Sequence, residues 1–264
     1  MLELRDVYKV FNAGTVNEKM ALSGLNLKLA DGDFLTVIGG NGAGKSTMLN
    51  MISGVFPSDA GKILLDDIDL TAMREHKRAR YLGRVFQDPM MGTAATMSIE
   101  ENLAMAYRRT RGRGLSWGVK REEKEKYKEM IASLDLGLED RMTTKVGLLS
   151  GGQRQAITLL MATLQHPRLL LLDEHTAALD PKTAEKVLNL TNEIITEHKL
   201  TTIMITHNMK DALRLGNRIV MMHDGKIIFD AANEEKEKLS VADLLRLFEE
   251  ASGSEFDNDR MLLT

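Results

Sequence analysis

Apolar and polar positions along this chain change their spacing twice. In the first stretch Leu2, Leu4 and Val7 mark an extended segment, and Leu22, Leu25, Leu27 and Leu29 follow with partial alternation. Phe34–Ile38 is a short apolar run between the turn signal Asp31-Gly32-Asp33 and a run of glycines, as expected of a buried strand. A helix is predicted from Ser46, stopped by Gly54 and Pro57, with further strands over Ile63–Leu65 and Tyr81–Phe86. Residues 1–86 therefore read as strands and turns around one helix.

From about Asp88 to Gln165 the spacing becomes helical. Ser98 and Glu101 stand at capping-box distance. Tyr127, Met130, Ile131 and Leu134 fall on one helical face, and Ala156, Leu159, Leu160 and Thr163 repeat the pattern after Ser150. Then the first pattern returns. Leu169–Leu172 reads as a buried strand, and Asp180-Pro181 as the N-cap and first residue of a helix. Ala184, Val187, Leu188, Thr191, Ile194 and Ile195 line the inner face of that helix. Thr202–Thr206 and Ile219–Met222 are predicted strands, and Asp224-Gly225 turns a hairpin into Lys226–Phe229. A last amphipathic helix carries Val241, Leu244, Leu245 and Phe248, and the polar stretch Ser252–Arg260 is expected to fray. This alternation implies an α/β fold with a mainly parallel sheet, interrupted by a helical insertion.

Composition removes several chemistries. The chain has no cysteine, which excludes disulfide frameworks, thiolate metal sites and cysteine nucleophiles. Thirty-five Lys and Arg against 38 Asp and Glu leave a net charge of −3, so no nucleic-acid partner is expected. Apolar runs such as Leu169–Leu172 and Ile219–Met222 are only four residues long, far short of a membrane span. The opening residues lack the basic-then-apolar layout of a secretory signal. A cytosolic site of action is therefore expected, with any membrane role supplied by a partner.

Gly39-Gly40-Asn41-Gly42-Ala43-Gly44-Lys45-Ser46 fits G-x-x-x-x-G-K-[ST], directly after a predicted strand and before a helix. Glycines let backbone N–H groups turn toward one point, where the helix dipole adds partial positive charge. Lys45 would reach the β- and γ-phosphates of ATP and the Ser46 hydroxyl would hold Mg²⁺; Gly39, Asn41, Gly42, Ala43, Gly44 and Thr47 complete the candidate cradle. This spacing identifies nucleotide binding and leaves kinase, GTPase, helicase and transporter ATPase open.

Leu149-Ser150-Gly151-Gly152-Gln153 narrows the choice, because it resembles the signature sequence of the ATP-binding-cassette (ABC) ATPases. Its two glycines and serine open a helix whose N–H groups can face an anion, and Ser150 with Gln153 also fits a capping box. Leu169-Leu170-Leu171-Leu172-Asp173-Glu174 resembles the same family's Walker B segment. The resemblance implies Asp173 in the Mg²⁺ shell, Glu174 as general base, Gln87 as the Q-loop glutamine at the metal and water, and His207 as the γ-phosphate switch. It also implies Asp180 in the D-loop and an adenine-stacking aromatic at Phe11, with Tyr8 as the alternative.

The expected fold is then a P-loop NTPase core of mainly parallel sheet with an antiparallel β subdomain and a helical insertion. Residues 1–87 and 166–230 would form the catalytic core, 88–165 the helical subdomain, and 231–264 a C-terminal helix and tail. Proline is usual after the catalytic glutamate in this family, whereas here His175 opens Glu174-His175-Thr176-Ala177-Ala178-Leu179-Asp180, as a tolerated loop substitution or as a group able to titrate near neutrality. That segment, together with Phe86–Ala94, resembles a bacterial importer subgroup, some members of which are linked to aromatic amino acids.

The resemblance further implies a homodimer in which Ser150, Gly151, Gly152 and Gln153 of one copy meet the ATP of the other. Transmembrane permease subunits and, through them, an extracytoplasmic substrate-binding protein are the expected partners, on the inner face of the cell membrane. Met90, Met91 and Met97 would make an adaptable groove for a permease's cytoplasmic helix. A basic stretch (Arg108, Arg109, Arg111, Arg113, Lys120 and Arg121, with Trp117 inside) reads as a solvated loop, or else as a contact for anionic lipid, a permease loop or, last, RNA. The rival reading is a soluble ABC ATPase acting on ribosomes or DNA. A P-loop small-molecule kinase would leave the Leu149–Gln153 segment unexplained.

Overall fold

The computed structural model describes residues 1–109, 119 and 121–252. Two compact units divide the chain, one holding residues 1–78 and the segment from Lys199 onward, the other residues 79–198. The expected helical insertion, 88–165, lies within the second unit, together with the strands and helix that flank it.

The first unit begins with β1 (Leu2–Phe11), β2 (Lys19–Leu29) and β3 (Phe34–Ile38). In β1 and β2, Leu2, Leu4, Val7, Leu22, Leu25, Leu27 and Leu29 are all buried. Then come α1 (Lys45–Ser53), β4 (Ala60–Leu65), β5 (Ile68–Asp69) and α2 (Glu75–Arg78). The strands β2-β1-β4-β5 form an antiparallel sheet, with Leu2 opposite Leu29 on one side and Leu65 on the other. The four-residue α2 and two-residue β5 were not anticipated, being too short to express a period. Arg78 of α2 is 2% exposed, and its guanidinium donates to the carbonyls of Met51 (2.6 Å), Ile52 (2.9 Å) and Met73 (2.7 Å). It thereby satisfies the orphan carbonyls at the end of α1.

The second unit contains β6 (Leu82–Val85), α3 (Ile99–Tyr107), α4 (Arg121–Ala132), α5 (Gly151–Thr163), β7 (Leu169–Asp173) and α6 (Pro181–His198). The Ser98–Glu101 capping box forms as expected. Leu134 lies beyond the end of α4 but still buries itself with Tyr127 and Ile131, in a core shared with Ile99, Leu103, Val146, Ala156 and Ile157. β6 and β7 run parallel, with Arg84 opposite Leu171.

Returning to the first unit, the chain forms β8 (Thr202–Ile205), α7 (Met209–Arg214), β9 (Arg218–His223), β10 (Lys226–Ala232), α8 (Glu234–Glu237) and α9 (Val241–Ser252). β3, buried at every position, runs parallel between β8 and β9. The β9–β10 hairpin turns at Asp224 (φ 44°) and Gly225 (φ 72°), the double left-handed turn that matches strand twist. Lys236 of the unanticipated α8 is 4% exposed and donates to the carbonyls of Leu215 and Gly216, capping the end of α7; burial pushes its ammonium down to about 8. Residues 253–260 of the polar tail lie outside the described residues, as do Arg111, Arg113, Trp117 and Lys120 of the basic stretch. Within the described part of that stretch, Arg108 pairs with Glu123 at 2.6 Å.

Candidate nucleotide-binding site

In the first unit the candidate cradle is built by a strand end, a loop and a helix start. Parallel pairing aligns Val37 with Ile205, so Gly39 and His207, each two residues further on, leave the sheet at one edge. Gly39 takes φ 147° and a Cβ there would sit 2.2 Å from the Met222 carbonyl oxygen; at Gly44 (φ 100°) it would lie 2.5 Å from that of Ala21. Neither position admits another residue. Backbone bonds from Ala43 to the Gly40 carbonyl (3.2 Å) and from Gly225 to the Ala43 carbonyl (3.0 Å) fix the loop.

Lys45 opens α1, one position earlier than predicted, and is only 7% exposed. Its ammonium donates to the carbonyls of Gly39 (2.6 Å) and Gly40 (3.0 Å), so the cation is already folded over the loop. Gly44 offers α1 no capping side chain and the first turn holds no acid, so the helix's own residues place no negative charge at its positive end. Asn41, Gly42 and Ser46 are exposed, and Thr47 is half-buried. The Lys19 ammonium of β2 would stand 3.2 Å from a Cβ at Gly42, adding a second cation beside the loop. No spacing in the sequence joins Lys19 to a motif twenty residues away.

His207 is exposed beyond β8, between the Thr206 N–H bond to the Val37 carbonyl (3.2 Å) and Asn208, whose side chain caps α7. Phe11 is half-buried, edge-on to Phe56 with centroids 5.2 Å apart, and Lys9 lies 5.6 Å from its ring. Tyr8, the alternative stacking residue, instead covers Gly24, where a Cβ would come 2.8 Å from its hydroxyl.

The second unit holds the acidic and signature segments. Leu169–Leu172 are all 0% exposed, and burying each aliphatic side chain contributes about 1.5–3 kcal/mol, which anchors β7 and fixes where Asp173 emerges. Asp173 sits 3.5 Å from the Arg84 guanidinium. The two are on the same face because Asp173 lies two positions past Leu171, the partner of Arg84. Glu174 follows with φ 44°, a left-handed backbone uncommon outside glycine that turns the chain off the sheet.

Of the two readings of His175, neither a plain loop substitution nor a group titrating near neutrality describes its place. It is 2% exposed, its Nε2 lies 3.0 Å from the Thr191 hydroxyl of α6, and burial pushes its pKa down to about 4. Desolvation disfavours the imidazolium, so the ring ties the segment after β7 to α6 as a neutral group. Asp180 caps α6 by accepting from the Thr183 N–H (3.1 Å); side-chain and backbone bonds to Thr183 hold its carboxyl below the usual range.

Gln87 is exposed after β6, and the residue before it is gripped by α5: Gln155, fully buried, donates to the Phe86 carbonyl at 3.1 Å. Ser150 caps α5 in a closed box, accepting from the Gln153 N–H (3.3 Å) and donating its own N–H to the Gln153 side chain (3.2 Å). Gly152 has a packing reason: a Cβ there would fall 2.0 Å from the Thr183 methyl, while at Gly151 it would meet Leu179 at 3.2 Å. Arg154, which motif reading passed over, donates to the carbonyls of Val146, Gly147 and Leu149 and so holds the approach to Ser150. Met90 and Met91 are 42% and 69% exposed, and Met97 is half-buried.

The side chains expected at a metal (the Ser46 hydroxyl, the Asp173 carboxylate and the Gln87 amide) offer oxygen, the donor that Mg²⁺ prefers. Among the described residues no group of three or more His, Cys, Asp and Glu could hold a metal ion without further ligands. That composition fits a cation held largely by phosphate and water.

The ABC transporter family matches residues 22–177, more than half of the chain. A tyrosine transport ATP-binding protein of Clostridioides difficile is 41% identical over 251 residues, covering 95% of this chain and 100% of that one. A phosphonates import ATP-binding protein of a Synechococcus strain is 35% identical over 234 residues, covering 87% and 84%. Among solved structures, the ADP form of MJ1267, an ATP-binding cassette of an ABC transporter, superposes with a TM-score of 0.78 at 27% identity, over 96% of this chain and 99% of that one. The dimeric post-hydrolysis state of the cassette MJ0796, bound to ADP and Pi, gives 0.75 at 29% identity, over 88% and 98%. With the glycine loop, the leucine strand and the capped Ser150 helix all in place, the chain belongs to the ABC transporter family and is one of its ATP-hydrolysing cassettes.

Proposed function

We propose that the chain is the ATPase subunit of an ABC importer of a small organic solute such as an amino acid, acting as a homodimer on transmembrane permease subunits. The observation that carries the importer reading is the full-length likeness to the tyrosine transport protein. Dimerisation is supported by the dimeric cassettes among its structural relatives. Among the described residues no helix is long and apolar enough to cross a membrane, which suits a subunit docked on the inner membrane face through a permease.

In this reading the N–H groups of 39–47 and the Lys45 ammonium bind the ATP phosphates, while Phe11 stacks on the adenine. Stacking of this kind is worth about 1–3 kcal/mol and tolerates different bases. Ser46, Asp173 and Gln87 would hold Mg²⁺, which when bound neutralises charge developing on the transferring phosphoryl group. Glu174 accepts a proton from the attacking water, and Lys45 and His207 stabilise the negative charge that builds on the γ-phosphate. The Ser150–Gln153 segment of one copy closes on the nucleotide of the other, with Asp180 at the seam. Residues 88–165 carry the closure toward the permease through Gln87 and the exposed methionines. Extraction in gentle detergent should recover the chain with permease subunits, and tyrosine with its binding protein should stimulate ATP hydrolysis by that complex. Recovery with ribosomes instead would reject the transport reading.

A further inference from the structure

The phosphate-loop pattern requires glycine at Gly39 and Gly44, whereas Gly40 fills one of its unrestricted positions. Its backbone lies outside the left-handed region, so conformation does not explain it either. A neighbour does. A Cβ at Gly40 would come 3.1 Å from Cζ of Phe248, on the C-terminal helix α9. Phe248 is 9% exposed and edge-on to His223, with centroids 5.7 Å apart. Its helix is seated through Leu244 in a cluster that includes Ile38, the residue directly before the loop, and Met221. From β9, the Met222 carbonyl faces Gly39. The two residues whose carbonyls hold the Lys45 ammonium therefore lie against β9 and α9.

We propose that Phe248 is a positioning residue for ATP binding: its ring, carried by α9, sets the Gly39–Gly40 peptide and with it the starting place of the Lys45 ammonium. The inference rests on reading residues 39–46 as the ATP phosphate loop, and it makes that loop depend on a helix two hundred residues away that no motif contains. Glycine at position 40 is then the complement of the ring, since a Cβ there makes a contact tight enough that the ring or the loop has to give by a few tenths of an ångström.

The test is binding of a fluorescent ATP analogue to Gly40→Ala, Phe248→Ala and the double variant, with thermal unfolding recorded for each. Each single change should weaken binding about fivefold or more. The double variant should be no weaker than the worse single, because both changes act on one contact. If Phe248→Ala fails to fold, Gly40→Ala alone decides, since it adds a methyl group outside the α9 core. Wild-type affinity in Gly40→Ala, or losses that multiply in the double variant, would overturn the proposal. Lys45→Ala separates this from the underlying reading. If that variant loses the analogue while Gly40→Ala and Phe248→Ala keep it, the phosphate loop stands and the role of Phe248 falls. If the wild-type chain itself fails to bind, both fall.

Discussion

Two helices in this protein begin with glycine and serine chemistry, and they begin differently. α1 starts after Gly44 in a left-handed conformation, a cap residue with no side chain to offer, and a lysine is folded over the loop before it. α5 starts at Ser150 in an extended conformation, its first donors engaged by a reciprocal capping box. Glycines at the first helix permit left-handed backbone; at the second, Gly152 makes room for Thr183. The two starts thus differ in who caps them: Gly44 supplies nothing, whereas Ser150 and Gln153 cap each other. In the proposed function α1 takes phosphate within its own chain. α5 is stable as it stands and can offer an anion only what its cap leaves over, which suits a contact made and broken in each cycle.

Mutation of Glu174, the proposed base, should give the largest effect and supplies the tool for the rest. Glu174→Gln should retain ATP while turnover falls by about 10²–10⁴-fold, measured as steady-state phosphate release beside nucleotide binding. Unchanged turnover would remove Glu174 as the base. In that stalled background the two helix starts can be compared directly. Lys45→Ala removes a charge-assisted donor worth about 1.5–3 kcal/mol, so ATP should bind roughly 10–100-fold more weakly to the isolated chain. Ser150→Ala should leave single-chain binding unchanged and reduce only ATP-driven dimerisation, read by light scattering. Equal loss of single-chain binding in both variants would erase the distinction drawn here.

The surroundings of α5 should also respond to acid. Folded His175 titrates at about 4 against an ordinary 6.5, so as the pH falls the unfolded chain takes up this proton first. The stabilisation is complete above about pH 6.5 and is lost toward pH 4, amounting to about 2 kcal/mol between pH 7 and pH 5. Urea unfolding at the two pH values, compared with His175→Gln, would measure it; an equal slope in the variant would show that other groups carry the acid response. The smallest effect concerns the cap itself: Ser150→Ala should cost about 0.5–2 kcal/mol of stability, read from urea midpoints.

The phosphate loop, the leucine strand and both capping boxes were legible in the sequence because each is local. Glycine conformations, a run of buried leucines and an i to i+3 bond are written within a few adjacent residues. The contacts that surround them are not. Arg84 meets Asp173 because two strands are in register, Lys19 reaches Gly42 from another strand, and Phe248 reaches Gly40 from the far end of the chain. His175 looked like a titratable loop residue because its neighbours in sequence are polar or small, whereas its burial comes from α6. The short α2 and α8 escaped because four residues cannot display a helical period.

Arg78 bears on how this molecule can be cut. It is the last residue of the first unit before the chain departs, and it seals the end of α1 from there. An insertion made after residue 78 would keep that seal. A splice placed a few residues earlier would strand two buried carbonyls and loosen the helix that carries the lysine. Any change to this stretch of chain therefore has to leave the arginine attached to the helix end it closes.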